Sequence, residues 1–290
     1  MNLRFVEAFY WAATLQSVTR AADRLHLTQS ALSSRIAALE GELGVLLLDR
    51  RERKFRLTGA GQRFVTQAAE LLAMMARVRQ DLGAADVGPT TLRIGAIESV
   101  VHSWLPAWLQ TLRTSHPDFQ LELTVEASTV LMEHIRRGTL DLVFTALGGD
   151  MPQVRSLALP SMPMTLLGLR GAARGSHCTP RSLTQQELIT FQRGSQPYQA
   201  LLQWFHEAGL EPPRIHAVSS ISAMLQLAAG GFGLAMLPRA VLKGLPADSP
   251  LQALAPRPAL PALPIRASYR DDPGSTRLQE VLASVQAHLR

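Results

Sequence analysis

Cysteine is almost absent from this chain: Cys178 is the one example in 290 residues, which rules out an internal disulfide framework. Its neighbour His177 invites a metal or catalytic reading, but no other closely spaced ligand set accompanies it, so no metal is expected. Catalytic signatures are missing as well. The chain contains no G-x-S-x-G, no H-E-x-x-H, no phosphate-binding G-x-x-x-x-G-K-[ST] and no histidines paired at ligand spacing. Gly231-Phe232-Gly233 is half a dinucleotide fingerprint, with Met236 where the third glycine belongs, and it precedes an apolar strand instead of following one. It reads as a tight helix-to-strand turn. The expectation is therefore no enzyme, no cofactor and no catalytic residue. Long apolar runs are lacking too: the longest, Ala223 to Pro238, is broken by Gln226 and Gly230-Gly231, which argues against a membrane span. Glu7 interrupts the N-terminal apolar stretch and no small-residue cleavage pattern follows, so a secretion signal is not expected and the cytoplasm is the expected compartment. Lysine is nearly absent, two against 27 arginines. The net charge of +6 divides evenly, since residues 1–90 hold 12 basic and 9 acidic side chains and residues 91–290 hold 17 and 14. Bulk charge therefore locates no nucleic-acid surface; only a local cluster can.

What the chain does have begins with Ser17 to Gly44, which reads as two short helices joined by a tight turn. Ala21, Ala22 and Leu25 form the inward stripe of the first, with Ser17 as its N-cap, and His26 and Leu27 turn the chain. Thr28 starts the second, whose stripe runs Ala31, Leu32, Ile36, Leu39, Leu43 before Gly44 ends it. Gln29, Ser30, Ser33, Ser34 and Arg35 remain outward on its first turns, polar groups able to reach base edges or phosphates. A solvated helical hairpin would look similar in isolation. Upstream, however, Leu3 to Ala12 supplies an aromatic helix to cover the pair. Downstream, Arg50, Arg51, Arg53, Lys54 and Arg56 crowd into seven residues, with Phe55 and Leu57 alternating as a hairpin would. Such a basic wing suits phosphate contacts.

Ala21-Ala22, Leu25, Thr28-Gln29-Ser30-Ala31, Ser33, Ile36, Leu39-Glu40, Leu43-Gly44, Leu47, Arg50, Leu57-Thr58 and Gly61 together resemble the winged helix-turn-helix of LysR-type transcriptional regulators. Three positions depart from that pattern: Ser30 where proline is frequent, Ser34 where arginine is frequent, and Leu48 where a phenylalanine packs behind the wing. The first two bear on sequence preference. The DNA contacts the resemblance implies are Thr28, Gln29, Ser30, Ser33, Ser34, Arg35, Arg50, Arg51, Arg53 and Lys54.

Residues 59–83 read as one long helix in which Phe64, Ala68, Leu71, Met75, Val78 and Leu82 recur at heptad spacing over about 27 Å. Such a stripe is covered either by a partner helix or by the chain's own domains. The resemblance implies the former, a homodimer and in turn a dimer of dimers, setting two reading heads on a pseudo-palindromic site. Residues 84–91, AADVGPTT, then form a hinge.

Beyond residue 92 strands and helices alternate, the mark of a doubly wound α/β sheet. The expected strands are Leu92–Ala96, Phe119–Glu126, Leu140–Ala146, Leu188–Gln192, Arg214–Val218 and Ile265–Tyr269, with helices near Val101–Thr114, Leu131–Arg137, Gln203–Ala208 and Ser222–Ala229. The phrases LRIGA, RRGTLDLVF and LQLAAGGFGLAMLP resemble the same family's effector domain, which is similar to periplasmic binding proteins. Residues 1–58 would thus be an all-α winged helix-turn-helix domain and 92–290 a two-lobed effector domain. Lobe I takes 92–161 and 267–290, lobe II takes 162–266, and the crossovers fall near Met162 and Arg266.

A cleft between two such lobes gathers strand ends and helix N-termini, which favour an anionic or polar small molecule. Ser99, Ser128, Thr129, Gly194, Ser195 and Ser219 fall at those junctions, either as ligand contacts or as plain N-caps. Val100, Thr145 and Ala146 would line the cleft by position, and His102 or Arg193 either pairs with a carboxylate or is merely solvated. The resemblance implies a sequence-specific DNA-binding regulator answering to a small-molecule effector, possessing no cofactor and meeting RNA polymerase if it activates. The alternative is a soluble ligand-binding module whose N-terminal helices dock a protein.

Overall fold

The computed structural model describes residues 1–49, 55–82, 90–148, 154–171, 177–270, 272–274 and 277–290. Helix α1 (Leu3–Leu15) starts where the Asn2 side chain accepts the Arg4 amide at 3.0 Å, and it buries Val6, Phe9, Trp11 and Leu15. Gln16, in the left-handed region at φ 48°, ends it. Helix α2 (Val18–Arg24) is capped by Ser17 and presents Ala21 and Ala22, small enough for close crossing, to the head core. His26, at φ 52°, makes the turn. Helix α3 (Gln29–Leu43) begins at Thr28, whose hydroxyl accepts the Ala31 amide at 3.1 Å, and stops at Gly44 with φ 68°. Its buried stripe is Leu32, Ile36 and Leu39. The expected caps are present, and of the expected stripes Leu25 and Leu43 are partly buried against the core while Ala31 is half-buried outside it.

The base of the wing is fixed by one buried acid. Glu40 accepts the amides of Leu47 and Leu48 on a single carboxylate oxygen at 2.8 and 3.0 Å, holding the chain as it leaves α3. Leu48 then bridges Leu57 in antiparallel fashion, and Asp49 N–H donates to Arg56 O at 2.9 Å. Helix α4 (Gly59–Asp81) follows, its first turn capped by the Thr58 hydroxyl at the Gly61 amide. A Cβ on Gly61 would lie 2.1 Å from Leu47 O, so only glycine lets α4 cross the wing base here.

Lobe I is a five-stranded sheet. Strand β1 (Thr90–Ala96) leads through α5 (Glu98–Val101) and α6 (Leu105–Ser115) to β2 (Phe119–Val125), then α7 (Ser128–Arg137), β3 (Leu142–Thr145) and β4 (Val154–Met162). Lobe II follows with β5 (Met164–Leu169), β6 (His177–Cys178), α8 (Pro180–Leu183), β7 (Leu188–Thr190), α9 (Gln196–His206), β8 (Ile215–Ala217), α10 (Ile221–Ala229), β9 (Leu234–Pro238), a 3₁₀ turn over Arg239–Gly244 and β10 (Leu251–Pro256). Strand β11 (Leu263–Arg270) returns to lobe I, and α11 (Arg277–His288) closes the fold. The sheet orders are β2-β1-β3-β11-β4 and β6-β10-β5-β9-β7-β8. In lobe I, β1 is parallel to β2 and β3, while β11 runs antiparallel between β3 and β4. Trp104, Trp108 and Phe144 pack edge to face in the lobe I core.

Several boundaries differ from expectation. The 101–114 helix is two helices, because Pro106 fits only the first turn of a new one. Helix α9 begins seven residues before Gln203, where Ser195 caps it and Pro197 occupies its first turn. The first crossover lies at Pro163, beside Met162 as expected. The second does not lie near Arg266: Ile265 and Arg266 already pair with Leu159 and Ala158 of lobe I, so it falls at 257–262. Most of the expected hinge lies outside the described residues, and Thr90 and Thr91 already belong to β1.

Candidate DNA-reading head and ligand cleft

Thr28, Gln29, Ser30, Ser33 and Ser34 are all exposed on the first turns of α3, and Arg35 is half-buried beside them. Three are already engaged locally: Thr28 caps the helix and shares a 3.0 Å hydrogen bond with Ser30, and Gln29 Oε1 accepts from the Thr19 hydroxyl at 3.4 Å. The predicted wing contacts Arg50, Arg51, Arg53 and Lys54 lie outside the described residues. Leu48 is 8% exposed and packs in the head core, filling the place behind the wing.

The predicted dimer seam divides. Phe64 packs against Phe9 with tilted rings, centroids 5.4 Å apart, and Ala68 is fully buried, so the first half of the stripe packs on α1 of its own head. Leu71 and Met75 are half-buried. The distal part is open: Val78 is 44% and Leu82 77% exposed, with Met74 beside them at 66%.

Head and lobe I meet through Arg24, the last residue of α2. Its guanidinium lies 4.4 Å from the centroid of the Trp11 ring and pairs with Asp141 and, at 3.5 Å, with Asp272. Burial works against its charge, yet the two carboxylates hold its pKa above the ordinary arginine value. Asp272 is raised above the usual carboxylate value because desolvation outweighs Arg24. Asp141 also accepts the Arg93 amide at 3.0 Å, and Arg93 reaches His26 of the head at 3.2 Å. Leu15 closes the contact against Gly138, where a Cβ would lie 2.5 Å from a leucine methyl.

Between the lobes lies a cleft of about 500 Å³. Seven of the predicted ligand residues line it: Ser99, Ser128, Thr129, Ala146, Gly194, Ser195 and Ser219; Arg193 lines it as well. Ser128 accepts the Ala146 amide at 3.2 Å, and Ser195 accepts the Tyr198 amide at 3.3 Å as the cap of α9. Three predicted residues stand apart from this lining. Val100 is fully buried in the lobe I core, Thr145 is buried with its hydroxyl donating to Leu147 O, and His102 is exposed elsewhere. A helix that begins at Glu98 explains this: Ser99 turns to the cleft, and the next residue turns into the core.

Sequence reasoning missed the residue that crosses the cleft. Ser220 makes no side-chain cap to α10; instead Glu98, from lobe I, accepts the Ile221 amide at the α10 N-terminus. Glu126, Leu147 and Phe191 also line the space. An acid in a helix first turn reads as a dipole partner of its own helix, so nothing in the sequence separates Glu98 from that ordinary role.

A three-helix head with a hairpin base, a long helix and a two-sheet domain enclosing a cleft define a one-component regulator, one chain carrying both reader and sensor. Family models agree: residues 3–62 match the bacterial regulatory helix-turn-helix protein of the lysR family, and residues 86–290 match the LysR substrate binding domain. The chain belongs to the LysR family of DNA-binding transcriptional regulators with an effector-binding domain. It is 27% identical over 252 residues to the regulator BenM of Acinetobacter baylyi, covering 82% of this chain and 80% of that one. It is 29% identical over 243 residues to the transcriptional dual regulator OxyR of Escherichia coli, covering 82% and 79%. Among solved structures, full-length OxyR from Pseudomonas aeruginosa superimposes with TM-score 0.66 at 24% identity, covering 98% of this chain and 94% of that one. Full-length BenM gives 0.57 at 25%, covering 99% and 96%. CbnR complexed with its target DNA gives 0.59 at 24%, covering all of both chains.

Proposed function

We propose that the chain is a cytoplasmic regulator that reads an operator through the first turns of α3 and answers to a small molecule with an anionic group, bound in the cleft. The observation that carries this reading is the row Gln29, Ser30, Ser33 and Ser34. It stays exposed although the opposite face of α3 is packed on α1 and α2. Gln29 and Ser33 read base edges, while the wing arginines and Lys54 grip phosphates. The open distal part of α4 supports a homodimer, which two-fold symmetry would fit to a pseudo-palindrome, with a tetramer as its doubled form and RNA polymerase as a partner where the outcome is activation.

Ligand binding shifts the balance between open and closed lobes. Two routes carry that shift to the head: the α4 helices, and the Arg24 joint that ties α2 to lobe I. Some relatives are named hydrogen peroxide-inducible genes activators. Peroxide sensing does not suit this chain, because Cys178 is buried and desolvation pushes its thiol up to about 11, away from the reactive thiolate.

Protection of duplex DNA upstream of its own or a divergent gene, at near-physiological salt, tests the reading. Gln29→Ala or Ser33→Ala should change sequence preference, whereas Arg50→Ala should weaken binding to all sequences and flatten its salt dependence. Unaltered binding by all three variants overturns the reader assignment, and absence of any protection favours a ligand-binding module with a protein-docking head. Replacing Ser99 and Thr129 should abolish the ligand response while sparing DNA affinity.

A further inference from the structure

The two walls of the cleft carry opposite charge. Glu98 and Glu126 stand on the lobe I wall and Arg193 on the lobe II wall, and no other ionisable side chain is found among the described residues lining it. The helix starts add to this polarity. Helices α9 and α10 both open onto the cleft from lobe II, and the positive end of a helix dipole favours an anionic group there. On the lobe I side α7 also starts at the cleft, but Glu126 immediately before it offsets that dipole with a full negative charge.

The α10 start is already taken. The Glu98 carboxylate reaches from lobe I to accept the Ile221 amide, so a group of the chain itself occupies that anion-favouring place and links the lobes. On lobe II the α9 start is capped by Ser195 at the Tyr198 amide and Pro197 in its first turn has no N–H, so Arg193, beside the positive end of that helix with Gly194 at φ 84° leading into it, is the group left to answer an anion. A ligand with only a carboxylate would match that pole but bring a third negative charge against Glu98 and Glu126. A ligand with only an ammonium group would leave Arg193 and the α9 start unanswered. One charge of each sign matches both walls. The rest of the lining is mixed: hydroxyl and amide side chains share it with Ile97, Val125, Leu147, Phe191 and Leu263, which supply the apolar surface for a side chain, and the volume of about 500 Å³ holds a molecule with a medium-sized one.

Resting on the cleft reading above, we propose that the ligand is a zwitterionic amino acid with an apolar side chain, its ammonium group received by Glu98 and Glu126 and its carboxylate by Arg193 at the positive end of α9. The ammonium group replaces the Ile221 amide as partner of Glu98, so the internal link between lobes is exchanged for one through the ligand. Closure then depends on both charges of one molecule.

The test is calorimetric titration and thermal shift of the full chain with matched probes. L-Leucine is compared with 4-methylpentanoate and 3-methylbutylamine, and L-phenylalanine with 3-phenylpropionate and 2-phenylethylamine. At least one amino acid should bind and raise the melting temperature, with each single-charge analogue roughly tenfold or more weaker, the size expected for losing one charge-assisted pair. Glu98→Gln should weaken the amino acid by a similar factor and improve the matching carboxylate. If neither amino acid binds, or if a carboxylate binds the native chain as tightly and Glu98→Gln changes neither, the ligand class is wrong. Thr129→Trp, which fills the cleft from an exposed position, separates the two levels. A carboxylate that binds the native chain but not Thr129→Trp leaves the cleft standing and overturns the zwitterion, whereas an amino acid that still binds Thr129→Trp overturns both.

Discussion

Glu40 shows how much a single side chain decides. It is 6% exposed, and one carboxylate oxygen serves two backbone amides at the wing base. Removing it strands both donors where water has poor access. Glu40→Ala should cost about 2–3 kcal/mol in urea or thermal unfolding, since hydrogen bonds to charged groups are the strong ones and orphaned buried donors are expensive. Glu40→Gln keeps an accepting oxygen and should cost clearly less. Cys178 makes the opposite point, a side chain silenced by its surroundings. At 1% exposure and with its thiol raised from 9.0 to about 11, its thiolate fraction at neutral pH falls about 100-fold from ionisation alone. Labelling of the native chain by a disulfide reagent should be slower than that of the urea-unfolded chain by at least that factor, and labelling at the unfolded rate would contradict the burial.

Helix α4 does two jobs along one stripe, and substitutions should separate them. Phe64 and Ala68 belong to the head core, so Phe64→Ala should lower stability by about 3 kcal/mol through the cavity it leaves, with the oligomeric state unchanged. Val78 and Leu82 are exposed, so Val78→Glu with Leu82→Glu should leave the melting temperature of the head nearly unaltered and shift the particle toward monomer in sedimentation. The sequence could not assign these roles. Heptad spacing tells which residues share a face, but not which neighbour covers it, and α1 competes with a second subunit for that face. The caps of α2 and α3 were legible because Ser17 and Thr28 satisfy their own first turns, a local matter, whereas the start of α9, capped by Ser195, was placed seven residues too late. The return of β11 to lobe I was misplaced by several residues because strand pairing is a long-range fact: Ile265 looks the same in sequence whichever sheet takes it. Glu98 was hidden for the same reason, since its partner Ile221 is 123 residues away.

How a ligand event reaches DNA depends on whether head and sensor move as one body, and Arg24 ties them. Its charge is stacked on Trp11 inside the head and paired with Asp141 and Asp272 of lobe I, so the joint consists of one cation answering two partly desolvated acids. Arg24→Met keeps the length and the apolar stem but leaves both acids without that cation. The cost should be about 3 kcal/mol, as for breaking a largely covered pair by removing one partner. It should appear as uncoupling: with the α4 route intact, operator affinity is retained while the ligand-induced change in protection shrinks. The pH dependence gives the sign. Desolvation already raises Asp272 above the usual carboxylate value of 3.8, so the folded chain binds its proton more readily than the unfolded chain does. That group's contribution to stability therefore falls as pH rises from the ordinary carboxylate range through the raised value. Without Arg24 the raised value climbs further and the window widens toward neutral pH. Denaturation of Arg24→Met across mildly acidic to neutral pH should lose stability more steeply than the native chain, by about 1.4 kcal/mol for each unit of added shift. Adding Asp272→Asn to that variant removes the titrating group and should restore the shallower slope; a slope that persists would assign the joint's pH response to Asp141 or to groups elsewhere.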